Sequence, residues 1–268
     1  MVDTAAQDKP FNALWRDVFA GVHPVLRRGR RVMRLLSPTA QERCRLCYAG
    51  FDGFSAPLLR RFGRGKWLRN PHFCQKCESV LAEHRGGAEI EIAVLYADVR
   101  GSTEMATRIG PTEFAALMQR FFQIATGIFT WSDAIVDKMV GDEMIGLYVP
   151  GLTGADYRQR AVAAGLKLLR ATGHEDPAGP WLSIGVGIHS GPTFLGSIGV
   201  EGGNYQFAAL GDPMNFGARL VGAAGAGELV MSEAVWGSIP DKMSAEPRML
   251  ELKGYAEPQK AYFARVGR

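Results

Sequence analysis

Nowhere in the 268 residues is there an apolar run long enough to span a bilayer. The opening residues, which include Asp3, Asp8 and Lys9, lack the charged-then-apolar start of a secretory leader. Internal repeats and low-complexity tracts are missing as well. Cysteine is scarce, with Cys44, Cys47, Cys74 and Cys77 the whole supply. These absences argue against an integral membrane segment and against an exported, disulfide-built scaffold, and a cytoplasmic protein is expected. What remains, 47% hydrophobic and 22% charged residues, reads as a globular chain with one ordinary core and an appendage.

The four cysteines form two C-x-x-C pairs separated by 26 residues. Paired thiols in a chain without an export signal point to a metal site. Two short knuckles offering four soft ligands favour structural Zn²⁺, ahead of an iron–sulfur cluster and of two redox pairs. His72 lies two residues before Cys74 and could stand in for a thiolate, but four cysteines suffice. Between the knuckles, Pro57, Pro71 and several glycines predict mostly irregular chain, so metal would supply much of the folding energy.

Charge divides the chain. Residues 1–87 hold 16 Lys/Arg against 7 Asp/Glu, whereas residues 88–268 hold 15 against 20. The basic part therefore reads as a separate piece, with Gly86-Gly87 as a joint. Residues 1–40 are expected to be a basic helical segment, 41–87 the cysteine module and 88–268 the main domain. Phe11, Leu14, Trp15, Val18, Phe19 and Val22 recur at helical spacing until Pro24 interrupts them. Five arginines follow among Val25, Leu26, Leu35 and Leu36, predicting a docking or dimerisation helix with its arginines in water, in preference to a membrane-surface helix. Few aromatics, Trp67 and Phe73 among them, are interleaved with the basic residues, so nucleic acid is not an expected partner.

From residue 88, strand and helix patterns alternate. Ile90, Ile92, Val94 and Tyr96 predict a strand, Pro111 opens a helix, and strands over 134–140 and 143–149 meet across Gly141-Asp142. A helix over 155–172, strands over 181–189 and 193–200, a helix over 213–223 and two short closing strands complete the pattern. The order is a split βαββαβ, an α+β ferredoxin-like arrangement with helices on an antiparallel sheet.

Two places carry chemistry. Asp98 arrives where the first buried strand ends, a costly position for a carboxylate unless a cation sits on it. Gly101, Ser102 and Thr103 follow as a small turn whose free N–H groups could seat an anion. Asp142 sits in a hairpin that the topology brings beside that strand end. Two carboxylates sharing two divalent ions suit attack at phosphorus.

Y-A-D-V-R-G-S-T, D-K-M-V-G-D-E-M, V-G-I-H-S-G-P-T-F-L-G-S-I-G and A-L-G-D-P-M-N-F-G-A-R-L together resemble the catalytic domain of the class III nucleotidyl cyclases, over about residues 88–268. The resemblance implies that Asp98 and Asp142, with the Val99 carbonyl, hold two Mg²⁺ or Mn²⁺ ions, and that Arg100–Thr103 cradle the triphosphate. It implies that Lys138 contacts the purine, that Asn215 and Arg219 hold the ribose and stabilise the transition state, and that Lys253 grips the terminal phosphates. Those last three would come from the second subunit of a homodimer with shared active sites. Asn215 and Arg219 are four apart on one helix and so share a face. No residue stands out as a base, and His189 reads as structural.

Lys138 can donate to the acceptor nitrogen of adenine, which favours ATP as the nucleoside triphosphate. Where adenylate cyclases carry an Asp or Thr, this chain has Ala208. A missing polar contact of that kind costs about 1–3 kcal/mol of discrimination. GTP or a pyrimidine triphosphate is therefore the alternative substrate, and a nucleotide sensor without turnover the alternative class.

Overall fold

The computed structural model describes residues 9–40, 42–67, 73–83, 86–199, 205–240 and 243–266. His72 lies outside them. Helices α1 (Lys9–Phe19) and α2 (Pro24–Leu36) come first, separated at Pro24 as its ring requires. Of two short helices, α3 (Ala56–Arg61) lies between the cysteine knuckles and α4 (Gln75–Glu83) begins inside the second. The stretch predicted to be mostly irregular is thus part helical, because Cys77 and its neighbours continue from the second knuckle into α4.

The rest alternates. Strand β1 (Gly86–Val99), α5 (Ser102–Ile109), α6 (Pro111–Trp131), β2 (Ile135–Val140), β3 (Glu143–Tyr148), α7 (Pro150–Thr153) and α8 (Tyr157–Ala171) are followed by the sixteen-residue β4 (Ile184–Gly199). Then come β5 (Tyr205–Leu210), α9 (Asp212–Ala223), β6 (Glu228–Ser232), α10 (Glu233–Gly237), β7 (Glu246–Leu250) and β8 (Gln259–Arg265). The strands lie in the order β2-β3-β1-β4-β6-β8-β7, with β5 paired to β4. Its first four places are those of a βαββαβ core. The expected antiparallel pairing holds between β1 and β3 and between β2 and β3, while β4 and β6 add a parallel pair.

The chain forms two compact units. One contains residues 91–149, 155–192 and 211–268. Its core gathers Ala93, Leu95 and Ala97 of β1 with Phe121, Ala125 and Phe129 of α6 and Ala161, Ala164 and Leu168 of α8. Phe121, Ala125 and Phe129 recur at helical spacing and so share one face, and burying each of the two phenylalanines is worth about 1.5–3 kcal/mol. Helix α9 packs tightly on the sheet. A Cβ on Gly187 would stand 2.3 Å from the Val221 nitrogen, so only glycine lets α9 come this close to β4. The other unit contains residues 1–90, 150–154 and 193–210. Within it Trp15 and Phe19 are buried, their rings 5.1 Å apart, and Phe19 lies 5.9 Å from Phe207 of β5.

Among the described residues no helix is long and apolar enough to cross a membrane. Val32, Leu35 and Leu36 of α2 are exposed, but Arg30 does not face water as the amphipathic pattern predicted.

Candidate active site

Strand β1 is apolar and buried from Ile92 to Ala97 and delivers Asp98 at its end. In the antiparallel register Asp98 stands opposite Glu143, the residue after Asp142. The hairpin turn at Gly141-Asp142 thereby brings Asp98, Asp142 and Glu143 to one end of the sheet. Burial first, and then the neighbouring Asp142 charge, hold the Glu143 carboxyl above its ordinary range, while Arg100 pulls it back. Three carboxylates in half-buried surroundings are a set of hard oxygen donors suited to a divalent cation. Val99 is buried beside them.

Arg100 turns back on the site. Its guanidinium pairs with the Asp98 carboxylate and donates from Nη1 to the Val221 carbonyl at 3.3 Å and the Ala224 carbonyl at 3.4 Å, both at the end of α9. Burial works against its charge, whereas Asp142 and then Glu143 support it. Gly101 follows with φ 68°, a left-handed position open to glycine, and caps α5 without a side-chain bond. The first N–H groups of α5, from Ser102 and Thr103, are therefore free of a side-chain cap.

Lys138 is exposed on β2, paired in register with Ile145 just beyond a bulge at Asp137. Oδ2 of Asp137 is buried without a hydrogen-bond partner, and burial raises this carboxyl despite the adjacent Lys138. Asn215 and Arg219 lie on the exposed face of α9. Near them the Tyr255 hydroxyl donates to Asp212 Oδ1 at 2.6 Å, and its ring meets Phe216 edge-on at 5.1 Å. The turn holding Tyr255 also holds Lys253, which is exposed. Side chains singled out from the sequence thus fall into two sets. One is Asp98, Asp142 and Lys138 at the β1 and β2–β3 end, and the other is Asn215, Arg219 and Lys253 around α9. Ala208 is buried on β5, paired with Gly196 of β4.

Glu143 and the Tyr255–Asp212 pair escaped sequence reasoning. Glu143 was findable, since a carboxylate beside Asp142 in a tight hairpin must face the neighbouring strand end. Nothing local marks Tyr255.

His189, expected to be structural, is half-buried. Its ring packs 4.3 Å from Phe216, Nδ1 is buried without a partner, and burial pushes its pKa down to about 4 despite Asp212 and Glu91. In the unfolded chain the same group titrates near 6.5. Because the unfolded form takes up the proton first, stability is full above about pH 6.5 and falls as pH drops toward 4, by about 3 kcal/mol. His189→Leu should flatten this acid limb in melting temperatures recorded from pH 7 to 4. An unchanged limb would assign it to other groups.

In the other unit Cys44, Cys47, Cys74 and Cys77 are free and buried, and their sulfurs all lie within 4.8 Å of one another. Cys47 Sγ and Cys74 Sγ are 3.7 Å apart. The Cys74 amide donates to Cys44 Sγ at 3.3 Å and the Cys77 amide to Cys74 Sγ at 3.4 Å. Such N–H donors favour thiolates. The cluster could hold one metal ion.

The profile of the family described as the adenylate and guanylate cyclase catalytic domain matches residues 87–264. Among curated proteins, uncharacterized protein Rv1318c of Mycobacterium tuberculosis (strain H37Rv) is 26% identical over 222 residues, covering 78% of this chain and 39% of its own. Uncharacterized protein Mb1354c of Mycobacterium bovis is 25% identical over 165 residues. The chain spans about two fifths of the length of the first of these relatives. Among solved structures, the guanylyl cyclase Cya2 superposes with a TM-score of 0.60 at 23% identity, covering 66% of this chain and 93% of that one. The adenylyl cyclase CyaB from P. aeruginosa gives 0.60 at 22%, covering 68% and 97%. At these identities the superpositions speak for the fold, not for the nucleobase.

Proposed function

The chain belongs to the family of adenylate and guanylate cyclase catalytic domains, and from that premise we propose that it converts ATP to 3′,5′-cyclic AMP and pyrophosphate. The 3′-oxygen of the ribose attacks the α-phosphorus. A new P–O bond forms, the bond to the β-phosphate oxygen breaks, and the 3′ proton leaves to solvent. The observation that carries this reading is the register of Asp98 opposite Glu143 and next to the Asp142 turn. That is an acidic strand end with oxygen donors for two Mg²⁺ or Mn²⁺ ions, with the Val99 carbonyl as a further donor. Such ions, when bound, neutralise the triphosphate and ease loss of the 3′ proton.

The chain's own residues do the rest. Backbone N–H groups from Arg100 to Thr103 cradle phosphate oxygens at the α5 N-terminus. Lys138, exposed beside the hairpin, donates to the purine ring. Asn215 and Arg219 reach the nucleotide of the partner subunit in a homodimer with shared sites, orienting the ribose and opposing charge at the α-phosphate. Lys253 meets the terminal phosphates. The exposure of all three around α9 supports this division. Residues 88–268 are read as the catalytic domain, with the basic segment 1–40 and the cysteine module 41–87 before it, in a cytoplasmic protein.

We read the cysteine cluster as a structural Zn²⁺ centre. A Zn–S bond of about 2.3 Å sets neighbouring sulfurs of a tetrahedron about 3.8 Å apart, against 3.7 Å between Cys47 and Cys74. An iron–sulfur cluster, with irons and sulfides between its thiolates, would spread them wider.

The buried methyl of Ala208 supports a second reading, a cyclase of loose nucleobase choice that also accepts GTP. Purified protein incubated with Mn²⁺ and each nucleoside triphosphate should yield mainly cyclic AMP. Ala208→Thr, which restores an acceptor, should widen the ATP-over-GTP ratio by about tenfold. Cyclic GMP as the main product would overturn the ATP assignment, and no product from any triphosphate would overturn the enzyme itself.

A further inference from the structure

We infer that Arg30 is a positioning residue of the four-cysteine metal centre, and that metal at this centre holds β5, the strand carrying Ala208, in place. The inference rests on reading the cysteines as a metal site. Arg30 sits on α2, an amphipathic helix with arginines on its exposed face. Its own guanidinium points inward and divides its donors between two segments. Nε donates to the Leu46 carbonyl at 2.9 Å and Nη2 to the Arg45 carbonyl at 3.0 Å. Those two residues are the spacer of the first C-x-x-C. Nη1 donates to the Gly151 carbonyl of α7 at 3.1 Å.

Electrostatics explains why an arginine belongs there. Four thiolates around a divalent ion carry a net charge of −2, costly to bury without a cation nearby. Burial works against the charge of Arg30, and the fields of Tyr48, Cys44 and Cys47 work for it. Its ring partner is Tyr48, 5.3 Å from the guanidinium carbon. With the metal gone and the thiols neutral, Arg30 becomes a half-buried cation lacking its counter-charge, and its hold on both segments weakens.

Two routes lead from the cysteines to β5 inside this unit. Cys77 lies on α4, which packs beside β5. On the other side Arg30 holds Gly151, where a Cβ would stand 2.2 Å from the Phe19 carbonyl oxygen. Phe19 in turn contacts Phe207, the neighbour of Ala208. The module is therefore braced against β5 from two sides.

The test compares amide hydrogen exchange in the full-length protein as loaded with Zn²⁺, after chelation under reducing conditions with Mg²⁺ returned, and after Zn²⁺ is restored. Segments 205–210 and 150–154 should exchange about tenfold faster or more without zinc and recover with it, while the β2–β3 hairpin stays unchanged. Arg30→Ala should still take up one zinc, yet keep fast exchange in both segments. With Co²⁺ as the probe its thiolate-to-metal band should move to longer wavelength, and Arg30→Lys, which keeps the charge, should move it back. Equal exchange with and without one bound zinc, or an Arg30→Ala chain indistinguishable from wild type, overturns the inference while leaving the metal reading standing. No zinc uptake by wild type removes both. The wild-type comparison decides even if Arg30→Ala fails to fold.

Discussion

An Asp98→Ala chain and an Arg219→Ala chain are each expected to cyclise ATP about a thousandfold more slowly than wild type or worse, and their mixture to regain activity. Asp98 ends a strand whose apolar residues are buried, and its carboxylate faces Glu143 in register. Removing it takes away a proposed metal ligand without touching the core, and Asp142 and Glu143 remain to neutralise Arg100. Arg219 is exposed on α9, so its truncation should spare the fold. In a randomly mixed population half the dimers are mixed, and each mixed dimer has one intact site of two, giving about a quarter of wild-type activity. Cyclic nucleotide would be separated chromatographically after incubation with Mn²⁺, with sedimentation used to verify pairing. Mixed dimers that form and stay silent would falsify the shared site. Asp98→Asn, nearly the same size, separates loss of charge from loss of shape.

Losing the thiolates should be as severe for the other unit. Cys74→Ser together with Cys77→Ser is expected to abolish zinc binding and lower the melting temperature of this unit by about 10 °C or more. Cys74 is fully buried, accepts a hydrogen bond from Cys77 and neighbours Cys47, so it is central to the cluster. Around it the large buried apolar side chains among the described residues of the module are Leu46, Phe51, Leu59 and Phe73. Structural zinc contributes about 10 kcal/mol or more of apparent folding free energy in small modules, at least as much as the roughly 6–12 kcal/mol that burying those four side chains supplies. Serine hydroxyls keep the volume but are poor ligands for this ion. Metal analysis and calorimetry of wild type, variant and chelated wild type would check it, with the last two behaving alike. Equal melting and equal zinc content in all three would remove metal from the account of this fold.

Much of the architecture could be read along the chain. Pro111 opened a helix, a second helix was expected over 155–172, and Gly141-Asp142 marked the hairpin. Strand β4 could not be read so simply. Ser190-Gly191-Pro192 looks like a turn between two strands, yet the chain stays extended through it as one strand. Its first half pairs with β6 and its second with β5, and partners on both sides outweigh the local preference. Strands β5 and β6 were missed for the same reason, since each owes its extension to a distant partner. Tyr255 became part of the candidate site only through contacts with Asp212 and Phe216.

The sequence by itself determined the chemistry on offer: two aspartates with a glycine-rich turn, an Asn and Arg one helical turn apart, and two cysteine knuckles. Each depends on covalent neighbours a few residues away, so spacing alone specifies it. Only the tertiary structure decided which groups meet. Asp98 faces Glu143, Arg100 reaches carbonyls 121 and 124 residues onward, and Arg30 joins a knuckle to Gly151. Those meetings follow from burying one shared core and pairing strands far apart in the chain, which no local pattern encodes.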